Sequence, residues 1–165
     1  MRIMLDTNVL ISMILFPGNR FTRMLEYITQ QHTLVLSSFV VDELLAVADR
    51  KFPTKRDVID RFLARLGYEL VYTPHNMQAG LFTIRDMNDY PVLYTAIVED
   101  VDILITGDKD FTDIPIERPE ILTPTDFIAK YRQWQVSLRL VKGVMNFVIG
   151  SSARKEQHIL CRSEL

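Results

Sequence analysis

Residues 1–18 run MRIMLDTNVLISMILFPG, and the reading of this stretch decides the fold. Residues 2–5 form a short run suited to a buried strand. Residues 8–16 read as an apolar helix, closed by Pro17 and Gly18. Between them stands Asp6, a charge inside an apolar run, where it costs stability unless compensated. Strand, acid and helix in that order predict a unit whose carboxylate lies at the carboxyl end of a strand. The apolar stretch resembles a signal peptide in length, but Asp6 and Asn8 interrupt it and no small-residue cleavage site follows.

Outward from this unit the alternation repeats. Asn19 suits the cap of a second helix through about residue 30, with Phe21, Met24, Leu25 and Ile28 on one face. Residues 33–36 form a second strand. Ser37 or Ser38 caps a helix to about Lys51, stopped by Pro53. Thr54, with Asp57 three residues on, opens a further helix through a weak capping box. Residues 68–72 form a third strand, and residues 74–88 show no clear period. Asp89 opens a helix to about residue 100, with Pro91 in its permissive first turn. Residues 102–106 and 120–122 form two more strands, and 123–131 a closing helix. Near-continuous apolar strands alternating with helices predict an α/β class: a three-layer α/β/α sandwich around a parallel sheet of about five strands. In such sheets ligands bind beyond the carboxyl ends of the strands.

Composition agrees. The chain has 165 residues, which suggests one domain, and 48% apolar and 24% charged residues are ordinary for a globular protein. A chain of this size buries roughly 68–70% of its unfolded surface without disulfides. The single cysteine, Cys161, excludes an intramolecular disulfide and a cysteine zinc site. No apolar stretch reaches the length of a membrane span, so the expected location is cytoplasmic. Charge is uneven: residues 1–130 carry 13 Lys/Arg and 19 Asp/Glu, and residues 131–165 carry 6 and 2. An acidic body is not that of a general nucleic-acid binder. It suits a nuclease if divalent cations occupy the site, or if a partner supplies positive charge. The expected division is 1–131 as the folded domain and 132–165 as an extension of unassigned role.

Four acids sit where the apolar segments give out: Asp6, Glu43, Asp89 and Asp108. Each has a structural alternative. Asp6 suits a helix cap, and one carboxylate can serve as cap and ligand. Glu43 lies three residues after Val40 and four before Val47, on the apolar face of its helix, as a rim residue or a ligand. Asp42 points elsewhere and reads as a surface charge. Asp89 suits an N-cap, and Asp86 is an auxiliary acid or a loop residue. Asp108 follows an apolar strand through Thr106 and Gly107; Asp110 ranks below it as a ligand. Four such acids exceed what capping requires. Gathered together they repel one another unless a cation sits among them, and oxygen-only ligands suit Mg²⁺ or Mn²⁺.

The motifs LDTNVLIS, SxxVxDEL from Ser37, the run from Asp86 to Ala96 of the form D-x-x-D-x-P-V-L-x-x-A, and TGDKDF from Thr106 resemble the PIN-domain family. This is a metal-dependent nuclease fold found in many VapC-like toxins of toxin–antitoxin systems. The ending PEILTPTDFIAKY is similar to the family's last strand and helix, so the resemblance covers roughly residues 1–131. It places the family's acidic quartet on Asp6, Glu43, Asp89 and Asp108, for catalysis and metal binding alike. It places orienting positions on Thr7 and Asn8, a hydroxyl near the site on Thr106 and a secondary acid on Asp110. It implies a five-stranded parallel sheet, hydrolysis of single-stranded or structured RNA, Mg²⁺ or Mn²⁺, an antitoxin protein as partner and a homodimer or higher homo-oligomer.

Other residues read more plainly. His32, His75 and His158 stand in none of the motifs and read as structural or surface residues. Arg50, Lys51, Lys55, Arg56, Arg61 and Arg65 read first as a solvated helix face, and otherwise as a phosphate- or partner-binding edge. Tyr90 and Tyr94 are candidates for stacking on an unpaired base, with core or rim packing the favoured role for at least one of them. Trp134 and Cys161 suggest packing. Two competing functions remain: a phosphatase of the haloacid-dehalogenase type, and a catalytically silent module that binds RNA or protein. The phosphatase class wants Asp two residues after its nucleophile, where Asn8 stands. The intact quartet argues against the silent module.

Overall fold

The computed structural model describes residues 1–111 and 114–131. Its centre is β1 (Arg2–Leu5), whose residues Ile3, Met4 and Leu5 have no solvent exposure. The other strands are β2 (Thr33–Ser37), β3 (Glu69–Val71), β4 (Ile103–Ile105) and β5 (Glu120–Leu122). All pair in parallel, in the order β3-β2-β1-β4-β5. Among the described residues six helices flank the sheet, giving the three-layer α/β/α architecture read from the sequence. They are α1 (Thr7–Leu15), α2 (Asn19–Gln31), α3 (Ser38–Lys51), α4 (Arg56–Arg65), α5 (Tyr90–Val98) and α6 (Pro124–Lys130). The helices α1, α3 and α4 pack on one another and α3 on α5, while α2 packs on β2 and α6.

The strand order positions the site. From β1 the chain winds outward through β2 to β3, then returns to the other side of β1 for β4 and β5. The direction of winding reverses between β1 and β4, the place where open α/β sheets hold ligands beyond their carboxyl ends. The register pairs Leu5 with Ile105, so Asp6 and Thr106 emerge side by side at that reversal. The Asp6 N–H completes the ladder with the Ile105 carbonyl at 3.0 Å.

Strand and helix identities follow the apolar pattern, and the departures lie at element ends. Gly18 is the cap of α2, with Asn19 its first residue, because the extended backbone of Gly18 turns the chain into the helix. Thr54 opens no capping box. Pro53–Lys55 forms a 3-10 turn and α4 starts at Arg56, since the fixed φ of Pro53 favours a tight turn there. The helix after Asp89 stops at Val98, and Asp100 takes a left-handed φ of 52° that ends it before β4. The third and fourth strands are shorter than read, and residues 74–88 are irregular. Ser37 caps α3 as expected, accepting the Val40 N–H at 3.1 Å. The extension from residue 132 lies outside the described residues, with Trp134, His158 and Cys161. Among the described residues no helix is long and apolar enough to cross a membrane.

The core that holds β1 against β4 is fully apolar. Leu104 is completely buried at its centre. Leu104→Ala is expected to lower stability by about 2–5 kcal/mol through lost burial and a residual cavity. A fall in the urea midpoint with an unchanged slope is the measurement that checks it.

Candidate metal centre

One chain of hydrogen bonds runs through the carboxyl ends of β1 and β4. The Asp6 Oδ1 accepts the Thr7 N–H at 2.7 Å, and its Oδ2 accepts the Thr106 hydroxyl at 2.9 Å. The Thr106 Oγ1 in turn accepts the Asp108 N–H at 3.0 Å, and the Asp108 Oδ1 accepts the Asp110 N–H at 2.9 Å. On the other side the Thr7 hydroxyl donates to Glu43 Oε2 at 2.5 Å. Two threonines therefore tie four of the acids together: Glu43 to Asp6 through Thr7, and Asp6 to Asp108 and Asp110 through Thr106.

Asp6 caps α1 and lies in the cluster at once, 3% exposed. The buried stripe of α3 runs through Val40, Leu44 and Ala48, and Glu43 stands half-buried at its edge, with Asp42 exposed beside it. Asp89 occupies the N-cap position of α5 but makes no side-chain cap bond, which leaves its carboxylate for other work. One oxygen each from Asp89, Asp108 and Asp110 lie within 4.8 Å of one another. Asp6 and Glu43 belong to no such trio among the described residues. Asp110 thus ranks with Asp108 by position, where the sequence ranked it lower. A 3-10 turn at Lys109–Phe111 folds it back toward the site, a bend with no signal in residue spacing.

Asp86 is a turn former. It is exposed, and its Oδ1 accepts both the Asn88 N–H and the Asn88 side-chain amide at 2.9 Å. Asn8 is exposed on the first turn of α1, with no side-chain hydrogen bond to Asp6. Arg85, not singled out in the sequence, places Nη1 3.5 Å from Asp110 Oδ1. Tyr90 and Tyr94 are packing residues: they are 6% and 8% exposed, stacked on each other, with Tyr90 also stacked on Phe82. The Tyr90 hydroxyl bonds the Gln78 carbonyl. His32 packs edge-on to Tyr27 and His75 is exposed, both away from the acids. Arg56 is paired with Asp49 and Asp60 on the helix surface.

Electrostatics bind the acids into one unit. Burial raises the Asp6 carboxyl to about 6, with Glu43 and Asp108 pushing the same way, against the Thr106 and Thr7 donors that pull it down. Asp89 rises to about 7, through burial first and then through Asp108, Asp6, Asp86 and Glu43. The Asp89 carboxylate therefore feels every other member of the quartet. A group of oxygen donors that is poorly solvated and mutually repelling favours a divalent cation over ionised carboxylates alone. The donor set is all oxygen, as hard cations such as Mg²⁺ or Mn²⁺ prefer. Thr106→Val removes one donor from Asp6 and one acceptor from Asp108. It is expected to weaken Mn²⁺ affinity roughly 10–100-fold, as loss of an orienting partner does. It also moves the Asp6 midpoint in a ¹³C-carboxyl titration further upward.

A family profile described as the PIN domain matches residues 2–110. No curated protein matches the chain. Among solved structures, VapBC2 from Rickettsia felis bound to a DNA fragment from its promoter aligns at a TM-score of 0.60 and 25% identity, spanning 74% of this chain and 98% of that one. DNA-bound VapBC from Salmonella typhimurium aligns at 0.59 and 20%, over 75% and 98%. VapBC-1 from nontypeable Haemophilus influenzae aligns at 0.57 and 19%, over 76% and 99%. The last two are similar in fold.

Proposed function

The chain belongs to the PIN-domain family of nucleases, and from that premise we propose that it is a Mg²⁺- or Mn²⁺-dependent endoribonuclease, the toxin of a toxin–antitoxin pair. The observation that carries the reading is the continuous path Glu43–Thr7–Asp6–Thr106–Asp108–Asp110, with Asp89 against its far end. Asp6, Glu43, Asp89 and Asp108 are assigned as ligands, with Asp110 beside them. Thr7 and Thr106 are positioning residues. A bound divalent ion supplies charge neutralisation at the scissile phosphate and acidity toward the attacking water.

The residues of the chain do the rest. A carboxylate has about four lone-pair sites. Asp6 uses one on each oxygen for Thr7 and Thr106, so each oxygen keeps a further site. The two threonines hold Asp6 and Glu43 in fixed orientation, so little reorganisation accompanies ligand binding. Burial of Asp6 lowers the local dielectric and strengthens whatever charge pairing occurs there. A carboxylate of the cluster accepts the proton of the attacking water. No histidine or lysine is required as base.

The similarity to VapBC assemblies supports an antitoxin as restraining partner, and the same reading carries a cytoplasmic homo-oligomer. The test is incubation of the full chain with single-stranded and structured RNA in Mg²⁺, in Mn²⁺ and in EDTA. Cleavage that needs the metal and disappears in Asp108→Asn is expected. Cleavage in EDTA would sink the mechanism, and binding of RNA without any cleavage would favour the silent module.

A further inference from the structure

Beside the acids, and sharing Asp108 and Asp110 with them, opens a cavity of about 630 Å³. It lies between α1, the first turn of α2 and the 3-10 turn after β4. Its volume falls in the range of small-ligand sites, roughly 300–1,000 Å³. Three features of its lining bear on the occupant. Phe21 offers a half-buried aromatic ring in the wall. Lys109 is exposed, with no ion-pair partner among the described residues. Arg85 reaches Asp110 at 3.5 Å, with its side chain 86% exposed, so that pair is weak and screened. Asn8 adds an exposed amide that both donates and accepts.

An aromatic face, two cations and an amide around one small cavity match the parts of a nucleotide: base, phosphate and base edge or 2′-hydroxyl. The position matters as much as the lining. A polynucleotide whose phosphate sits at the carboxylates must pass its next unit along one side. An acidic body elsewhere repels it, and here two cations and a ring stand next to the cluster. We propose that this cavity is the subsite for the nucleotide adjoining the cleaved phosphate, with its base stacked on Phe21 and its phosphate held by Lys109 and Arg85. It is thereby the determinant of base preference. The proposal rests on the ribonuclease reading, which supplies the strand that enters.

Binding is read without cleavage, by calorimetric titration of the full chain with AMP, GMP, CMP and UMP in Mg²⁺, alongside the free nucleosides and inorganic phosphate. At least one monophosphate is expected to saturate. Phe21→Ala should weaken it about tenfold, within the range for loss of one stacked base. Phe21→Trp should retain it. Inorganic phosphate should not distinguish these proteins. Lys109→Ala, at an exposed position, should weaken the monophosphates and leave the nucleosides alone. Saturation by none of the four, or equal affinity in Phe21→Ala and wild type, overturns the proposal. So does loss of a protein partner in Phe21→Ala with nucleotide affinity unchanged. Phe21-dependent binding in a protein that cleaves no RNA would leave the subsite and remove the ribonuclease reading. Metal-dependent cleavage with unaltered base preference in Phe21→Ala would do the reverse.

Discussion

Asp6→Asn is expected to abolish metal-dependent cleavage and, in the same protein, to stabilise the metal-free fold. Loss of an orienting partner typically costs roughly 10–100-fold in metal affinity or activity, and removal of a carboxylate that acts as a ligand, the role proposed for Asp6, should exceed that. The stability gain has its own cause. The Asp6 carboxyl sits at about 6 in the folded chain against an ordinary 3.8, mainly because it is buried. Above about pH 6 the folded state holds a desolvated carboxylate, at a cost of about 3 kcal/mol by the usual conversion. Asparagine carries no charge, is an equally good helix cap, and still offers Thr7 an acceptor. Thermal melts at pH 8 in EDTA, set beside turnover in Mn²⁺, check both halves. A variant that loses activity and stability together would show that Asp6 acts as a scaffold only.

The second large effect is the dependence of stability on pH, and its reversal by metal. Asp6 has a raised carboxyl, so between about pH 4 and 6 the folded state binds more protons than the unfolded. Stability from this group is therefore fully present below the unfolded value and is lost as pH rises through about 6. Asp89, raised to about 7, adds loss in the same direction to higher pH. It is partly exposed, so solvent and salt reduce its share. Two groups work the other way. Burial holds His32 below its ordinary 6.5, which adds stability as pH rises toward that value. The Arg2 N–H, with Arg118, holds Asp102 below the ordinary carboxylate range, which matters only in more acidic solution. The clean quantity is the difference between wild type and Asp6→Asn. From pH 5 to 8 without metal, wild type should lose about 1.4 kcal/mol more than the variant, because only the span from pH 5 to about 6 remains to be titrated, or roughly 3–6 °C in Tm for a chain of this size. Saturating Mg²⁺ at pH 8 should restore about 2.7 kcal/mol at a hundredfold excess over Kd. It should do little at pH 5, where protons compete for the same oxygens. A flat difference across that range would remove the electrostatic picture of the site.

Much of this was legible in residue order. The bounds of β1 and β5 follow from the sequence alone, because Ile3, Met4 and Leu5 are a short apolar run cut by a charge, and Glu120–Leu122 is bounded by turn residues and a proline. The positions of Asp6 and Asp108 follow from strand ends in a parallel sheet. What escaped was contact between distant residues. Thr7 read as a partner of its neighbour Asp6, yet its hydroxyl reaches Glu43, 36 positions away. Asp110 enters through a 3-10 turn, and Arg85 through an aperiodic stretch that no hydrophobic pattern locates. Tyr90 and Tyr94 sit next to Asp89 in the sequence, which offered a base platform beside the favoured reading of packing for at least one of them, and did not show that both are packed. The short, almost wholly apolar α5 buries both. Phe21 read only as part of the apolar face of α2, and the cavity that it lines appears once α1, α2 and the turn after β4 are brought together.

The most direct measurement is a calorimetric titration of Mn²⁺ into the metal-free chain at pH 6.5, repeated in buffers of different ionisation enthalpy to count protons. Saturable binding with release of protons is expected, because Asp6 and Asp89 are partly protonated there and must give up their protons to coordinate. Asp6→Asn and Asp108→Asn should each weaken it sharply. Binding that releases no protons, or that survives both substitutions unchanged, would contradict the claim that these carboxylates form one divalent-metal site.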